Sequence, residues 1–262
     1  EEGFFDFDKA DFGLIPLATD IWEGFIFVNA DPNPSQTLKE FMGALEPSLK
    51  GYPFSEMEID VEYSITVDCN WKVFSDAFQE AYHVGYIHKN SFPDQFTYDG
   101  NPFTHMSEFR IHGYHNVASV TGNPNHQPSP VERFVRSIGT SSYGAAAEGV
   151  TDLAPGINPG KSQNYMFDLH NVFPNFAMHI GLGFYYSYNF IPLSVNKTRW
   201  VMRLYGFPPK TAGEAISKEY TKILLRDAVK EDINTTENTQ RCLDSGVLPF
   251  MPLCDQELLL RH

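Results

Sequence analysis

The stretch Glu214-Ala215-Ile216-Ser217-Lys218-Glu219-Tyr220, continued to Arg241-Cys242-Leu243-Asp244-Ser245, runs without a proline and decides the fold. It reads as one long helix, and Gly246 suits the left-handed position that ends it. What precedes it is mostly strand. Glu58 to Val67 alternates, which puts Ile59, Val61, Tyr63, Ile65 and Val67 on one strand face. Further strands are expected around Phe167–Ile180, Phe184–Ile191 and Arg199–Phe207, closed by Pro208-Pro209. Residues 11–30 read as a strand pair ending at Asn29, with Gly24-Phe25-Ile26-Phe27-Val28 as a buried strand. Asp31-Pro32-Asn33-Pro34-Ser35 is a turn, and Ser35 is the expected N-cap of a helix carrying Leu38, Phe41, Met42, Leu45 and Leu49. Trp71 to Tyr86 reads as another helix. Residues 120–163, rich in Gly, Pro, Ser and Asn, have the composition of a lid or binding loop. The order is strands, a short helix, strands and one long helix. It implies an α+β fold, an antiparallel sheet wrapped on the C-terminal helix, rather than alternating βαβ units.

Composition narrows the function. The 262 residues suffice for one large domain or two small ones. With 33 acidic against 19 basic residues the net charge is -14. Nucleic acid is a disfavoured partner, because neutralising phosphates needs Lys and Arg. No run of about 18 apolar residues occurs, so no membrane span is expected. No charged segment with a small-residue cleavage site opens the chain. Cys69, Cys242 and Cys254 are scattered and odd in number. That argues against a disulfide framework and makes a reducing cytoplasm the default. No two of these cysteines are close enough to build a zinc site, and neither a Gly-rich phosphate loop nor a Gly-x-Ser-x-Gly elbow occurs. The chain opens on Glu1 rather than Met, and Asp255 to His262 stops inside a helix-like pattern. We therefore expect a fragment of a longer protein.

The chemistry concentrates in Glu80-Ala81-Tyr82-His83-Val84-Gly85-Tyr86-Ile87-His88. Two neutral imidazoles and one carboxylate meet the needs of a non-haem Fe(II) site, since that face of the ion leaves positions open for dioxygen. The carboxylate is either Glu80 or the distant Asp232. On a helix Glu80 and His83, three apart, share a face. His83 and His88, five apart, diverge by about 140°. They converge only if the helix ends or distorts between them, for which Gly85 is the obvious residue. Asp232, Thr236 and Gln240 thread a polar stripe along one side of the long helix, and such a stripe facing inward must satisfy something. Lys218, Lys222, Arg226 and Lys230 form a basic row. It reads as a solvated face interleaved with Glu219, Asp227 and Glu231, or as a docking strip for an acidic electron carrier. His105, His112, His115, His126, His170 and His179 read as ordinary strand or loop residues, with His170 retained as a pocket candidate.

Asn70-Trp71-Lys72, then Glu80-x-Tyr82-His83-x4-His88, then Glu231-Asp232-x4-Glu237-x2-Gln240 resemble the catalytic domain of Rieske-type ring-hydroxylating oxygenase α subunits. Trp22-Glu23-Gly24-Phe25-Ile26-Phe27-Val28-Asn29, like the strand entering that domain, and Phe173-Pro174-Asn175 extend the resemblance. It implies a START/SRPBCC-like helix-grip fold over residues 1–262, a single catalytic domain with mononuclear Fe(II). His83, His88 and Asp232 fall on the iron ligands. Glu80 falls on the catalytic acidic bridge to the Rieske cluster of a neighbouring subunit, where the family often has Asp. Asn70, Asp76, Phe78, Tyr82, His170 and Phe173 are expected around the iron or its pocket. Phe78, Phe173, Phe176, Phe184, Tyr185 and Tyr186 suit an apolar pocket.

The resemblance further implies O2, an apolar or aromatic substrate, ferredoxin and/or reductase, and a homotrimer. The family's Rieske module needs Cys-x-His followed by Cys-x2-His, and neither occurs here. Its [2Fe–2S] cluster is therefore expected on a missing N-terminal part or a partner chain. Two other readings compete. One is a metal-free helix-grip module for an apolar ligand, in which His83 and His88 point apart. The other is a zinc hydrolase with Glu80 as general base.

Overall fold

A computed structural model describes residue 5 and residues 8–139, 153–248 and 250–261. The expected loop over 120–163 thus lies partly outside the described residues. The chain opens with the hairpin β1 (Ala18–Trp22) and β2 (Phe25–Asn29), a sheet of its own. There follow α1 (Leu38–Met42), β3 (Glu58–Val67), α2 (Trp71–Asp76) and α3 (Val84–Ile87). Next come β4 (Ser107–His112), β5 (His115–Thr121), α4 (Pro130–Ile138), β6 (Tyr165–Val172) and β7 (Phe176–Gly181). The chain continues through β8 (Phe184–Ser194) and β9 (Lys197–Gly206) to α5 (Ala212–Asp244). Strands β3 to β9 form one antiparallel sheet in the order β3-β9-β8-β7-β6-β5-β4.

Helix α5 is the long helix expected, and its ends have chemical causes. Thr211 caps it reciprocally with Glu214: Thr211 Oγ1 accepts from Glu214 N at 3.1 Å and Glu214 Oε2 accepts from Thr211 N at 3.2 Å. At the other end Gly246 has φ +67, the left-handed turn that releases the chain. One stripe of α5 is buried, comprising Ser217, Thr221, Leu225, Ala228, Asp232, Thr236 and Gln240, at helical spacing. It packs against the inner face of the sheet. Leu225, Ala228 and Val229 join Phe74 and Phe78, and Phe190, Trp200, Met202 and Leu204 from β8 and β9, in one core. A second core lies on the outer face, where Trp22, Met42, Leu45 and Leu49 cover Val117, Val172, Met178, Ile180 and Tyr185. Both faces of the sheet are therefore buried, and the two sets of side chains alternate along every central strand.

Several local expectations are corrected. Thr37, not Ser35, caps α1, in a box with Glu40. Gly24–Val28 is a strand but half open: Ile26 and Val28 are 70% and 58% exposed, because a two-stranded sheet has only one face to bury. A bulge between Ile59 and Val61 breaks the shared face of β3, and Ile59 stands exposed. The stretch Phe167–Ile180 is two strands, separated at Phe173-Pro174-Asn175. β4, β5 and α4 were not expected. The signal for α4 was present in Ser129, whose hydroxyl accepts from Glu132 N, followed by Pro130 in the first turn. Trp71–Tyr86 is not one helix. It stops at Asp76, and residues 77–83 cross the inner core as a turn before α3.

Candidate metal centre

Helix α3 is a single turn, and the two histidines are its caps, His83 before it and His88 after it. This is why rings five residues apart meet. Their centroids are 5.3 Å apart. Gly85 lies inside α3 without a positive φ, so it is not the distortion. It serves close packing instead, since a Cβ there would come within 3.2 Å of Thr97 Oγ1.

From the facing stripe of α5, Asp232 Oδ1 lies 3.0 Å from His88 Nε2 and 3.6 Å from His83 Nε2. One ligand atom from each of His83, His88 and Asp232 falls within 4.8 Å of the others. Two donors bound about 2.1 Å from one ion, at angles of about 90–110°, sit roughly 3.0–3.4 Å apart. The 3.0 Å pair falls in that range and the 3.6 Å pair just beyond it, so the three donors gather around one point, and it is the two-imidazole, one-carboxylate set that Fe(II) favours.

The other nitrogen of each ring is held by a carboxylate. His83 Nδ1 bonds Glu80 Oε1, and His83 N donates to Glu80 Oε2 at 3.1 Å. His88 Nδ1 lies 2.9 Å from Glu231 Oε2, which also accepts from Ser91 Oγ at 3.0 Å. An ionised carboxylate only accepts, so in its neutral form each ring carries its proton on Nδ1 and leaves Nε2 bare toward the shared point. Glu80, His88 and Asp232 are all buried.

Burial pushes the His83 pKa down, but the Glu80 and Asp232 carboxylates outweigh it and hold the group above the ordinary imidazole value. In the metal-free protein the stabilisation from this protonated ring is fully present below the unfolded imidazole pKa. It is lost as pH rises through the raised folded value. A divalent ion must displace that proton. We therefore expect metal affinity to fall by roughly tenfold per pH unit once pH drops below the His83 pKa. Titration of the metal-free chain with Co(II) at about pH 6 and about pH 8 checks this, and equal affinities would show that His83 does not bind the ion.

The remaining expected residues divide. Phe78 faces the inner core, its ring 6.2 Å from that of His179 and 5.0 Å from that of Tyr188. Asn70 is the N-cap of α2, and its amide N donates to Gln240 Oε1 at 2.8 Å. Gln240 is two turns beyond Asp232, about 12 Å along α5, so Asn70 orders the fold and does not touch the centre. Asp76 pairs with Lys72, and Tyr82 donates to Glu257 Oε1 at 3.1 Å in the C-terminal segment. His170 and Phe173 are corrected outright. His170 pairs in register with Val117 and Met178 of the outer core, so it faces away from the triad. Phe173 is 45% exposed and borders a cleft of about 760 Å³ on that outer side, together with Phe25, Asn189, Arg203 and Tyr205. Phe176 and Tyr185 belong to the outer core as well. Two residues were missed. Glu231, read as part of a solvated face, orients His88, and His179 lies on the inner face. Three members of the basic row are paired, Lys218 with Asp60 of β3, Lys222 with Glu219 and Arg226 with Asp227. That favours the solvated-face reading.

With the triad in place, comparison with known families decides the assignment. The model of the ring hydroxylating alpha subunit (catalytic domain) matches residues 54–262. The chain belongs to that family. Among individual relatives of this ring-hydroxylating α-subunit domain, the carnitine monooxygenase oxygenase subunit of Escherichia coli (strain K12) is 31% identical over 85 residues, 32% of this chain and 22% of that protein. The chloroplastic choline monooxygenase of Amaranthus tricolor is 32% identical over 89 residues, 32% of this chain and 20% of that protein. In solved structures the fold recurs in the quaternary ammonium Rieske monooxygenase CntA, with TM-score 0.65, 16% identity, 91% of this chain and 55% of that one. It recurs also in naphthalene 1,2-dioxygenase from Rhodococcus sp., with TM-score 0.58, 14% identity, 86% of this chain and 54% of that one. The matches thus span about half of the solved chains and about a fifth of the curated relatives. The antiparallel sheet gripping a long C-terminal helix is the Rieske oxygenase catalytic fold, and members of the family are mono- and dioxygenases, oxidoreductases.

Proposed function

We propose that this chain is the iron-bearing catalytic part of a Rieske-type oxygenase that inserts oxygen from O2 into an organic substrate with an apolar body. The convergence of two bare Nε2 atoms and Asp232 Oδ1 on one point carries this reading. His83, His88 and Asp232 would hold Fe(II), and a ferrous ion so held supplies dioxygen activation. The protein's own part is orientation and exclusion of water. Glu80 and Glu231 lock the two rings, and Phe78, Phe92, Phe96 and Phe167 belong to the buried apolar core beside them, with the Phe92 ring 5.8 Å from that of His88.

Electrons would come from a [2Fe–2S] Rieske cluster on another part of the protein or on a partner chain, fed by ferredoxin and/or reductase. In a homotrimer Glu80 would link His83 to a neighbour's cluster ligand. Names among the relatives point to carnitine and choline. Yet among the described residues no Lys or Arg is buried, so a substrate carboxylate would find no buried cation to pair with. That favours a substrate without a carboxylate. A metal-free module is disfavoured, because its histidines would point apart.

Anaerobic loading with Fe(II) followed by nitric oxide tests the proposal. We expect one iron per chain and a paramagnetic nitrosyl signal. A chain that takes up zinc but no iron would support the hydrolase reading instead.

A further inference from the structure

His179 stands on the inner face of β7, in register with Leu169 on one side and Tyr186 on the other, both members of the inner core. A series of rings connects it to the metal centre. His88 to Phe92 is 5.8 Å between centroids, Phe92 to Phe96 5.4 Å, Phe96 to Phe167 6.3 Å and Phe167 to His179 4.9 Å. The imidazole lies parallel to the Phe167 ring, 5° between planes, and the Tyr188 ring meets it edge-on at 4.9 Å. These contacts fix the plane of the ring. Its Nε2 is buried and has no hydrogen-bond partner.

On the same face of the sheet, two residues along the ladder from the Leu169–His179 pair, are further unpartnered polar atoms. Asn171, next but one to Leu169 on β6, and Asn116, its partner across the ladder on β5, each bury a side-chain oxygen without a donor. The orientation of Asn116 is not arbitrary. Its Nδ2 donates to Gln79 Oε1 at 3.1 Å and to Leu259 O at 3.5 Å, which leaves Oδ1 as the free end. A buried polar atom without a partner costs stability, and a fold retains several on one face of a site only if something else compensates. A purely hydrocarbon substrate would leave all three atoms unsatisfied.

We propose that His179, with Asn171 beside it, forms a polar anchor that takes a hydroxyl or comparable hydrogen-bonding group of the substrate. The substrate class is then a molecule with an aromatic or apolar body and one such group, and His179 sets specificity rather than taking part in the chemistry. A hydroxyl both donates and accepts, so it can accept from an Nε2–H of His179 while donating to the amide oxygen of Asn171. Burial and then His83 push the His179 pKa down to about 3. The anchor is thus neutral across ordinary pH and selects by hydrogen bonding rather than by charge. This inference rests on the oxygenase reading only for the word substrate, since the anchor itself is a binding claim.

The test compares 1-naphthol with naphthalene, a pair that differs by one hydroxyl, by fluorescence titration of the chain with and without Fe(II). We expect 1-naphthol to bind at least about tenfold tighter in both forms, as a well-placed buried hydrogen bond provides. His179→Leu should reduce the ratio below about threefold with no loss of melting temperature, because removing an unpartnered nitrogen relieves a cost. His179→Gln should restore most of the preference. Equal binding of the two probes by the wild type, or a preference that survives in His179→Leu, overturns the proposal. So does a His179→Leu protein that fails to fold, since the ring would then be structural. A chain that discriminates the probes but takes up no iron would refute the oxygenase reading and leave the anchor standing. Iron uptake without discrimination would do the reverse.

Discussion

Asp232→Ala is expected to abolish iron binding in a protein that still folds. The carboxylate is the only anionic member of the triad, and its Oδ1 is the atom the two histidines share, at 3.0 and 3.6 Å. Without it two neutral imidazoles remain, and a ferrous ion loses both a bond and the charge that compensates its own. Even removing a group that merely orients a metal ligand costs about 10–100-fold in affinity. Losing the ligand itself should exceed that. Stability should respond far less. Asp232 lies on the buried stripe of α5, but no Lys or Arg among the described residues pairs with it, so its loss strands no buried cation. A shift of about 1 kcal/mol is the ordinary size for such a change. Iron per chain after anaerobic reconstitution, read beside a thermal melt, separates the two effects. Wild-type iron content in Asp232→Ala would move the ion's seat to Glu80 or Glu231 and end the facial-triad reading.

What the sequence disclosed about this centre follows from which signals are local. The proline-free run of α5 and its polar stripe were readable because helical period alone puts Asp232, Thr236 and Gln240 on one line, and all three are buried. The break after Asp76 was not readable. Ala77-Phe78-Gln79-Glu80-Ala81 contains no Gly or Pro, and by propensity it should continue the helix. Tertiary contacts override that preference. Phe78 enters the inner core, Gln79 accepts from Asn116, and Glu80 binds His83.

The two central histidines of β6 and β7 show a different limit. Period 2 says that neighbouring side chains point to opposite faces, but both faces of this sheet are buried. Nothing in the alternation tells inside from outside. Hence His170 was assigned to the pocket and His179 was not, and the registers reverse them. Glu231 was missed for a related reason. A position one residue before Asp232 turns about 100° around the helix. Only the placement of α3 beside α5 reveals that His88 occupies that side.

Glu80→Gln is expected to leave iron in place and to remove coupled turnover in the enzyme assembled with its cluster and reductase. The side chain is buried and both oxygens serve His83, one on the ring Nδ1 and one on the backbone N. Glutamine keeps the length and offers one accepting oxygen, so the imidazole stays aimed at the metal point. Iron affinity should fall by no more than about tenfold, the lower end of what loss of an orienting group costs, so iron content under saturating Fe(II) stays at the wild-type level. The Glu80 carboxylate is also foremost among the interactions that raise the His83 pKa. Its removal lowers that pKa, and the pH at which metal affinity begins to fall should move down with it. Electron delivery is a separate matter. An anionic carboxylate can accept one N–H from His83 and another from a cluster ligand across an interface, whereas a carboxamide turns a donating NH2 toward one of them. We expect the rate of substrate oxygenation to drop by about a hundredfold, the upper end of what loss of such a partner costs, while the nitrosyl signal of the iron is unchanged. Iron loss in Glu80→Gln would make the residue a structural support of His83. Full-rate, fully coupled turnover with intact iron would mean that electrons reach the ion by another route, the nearest alternative being Glu231 through His88.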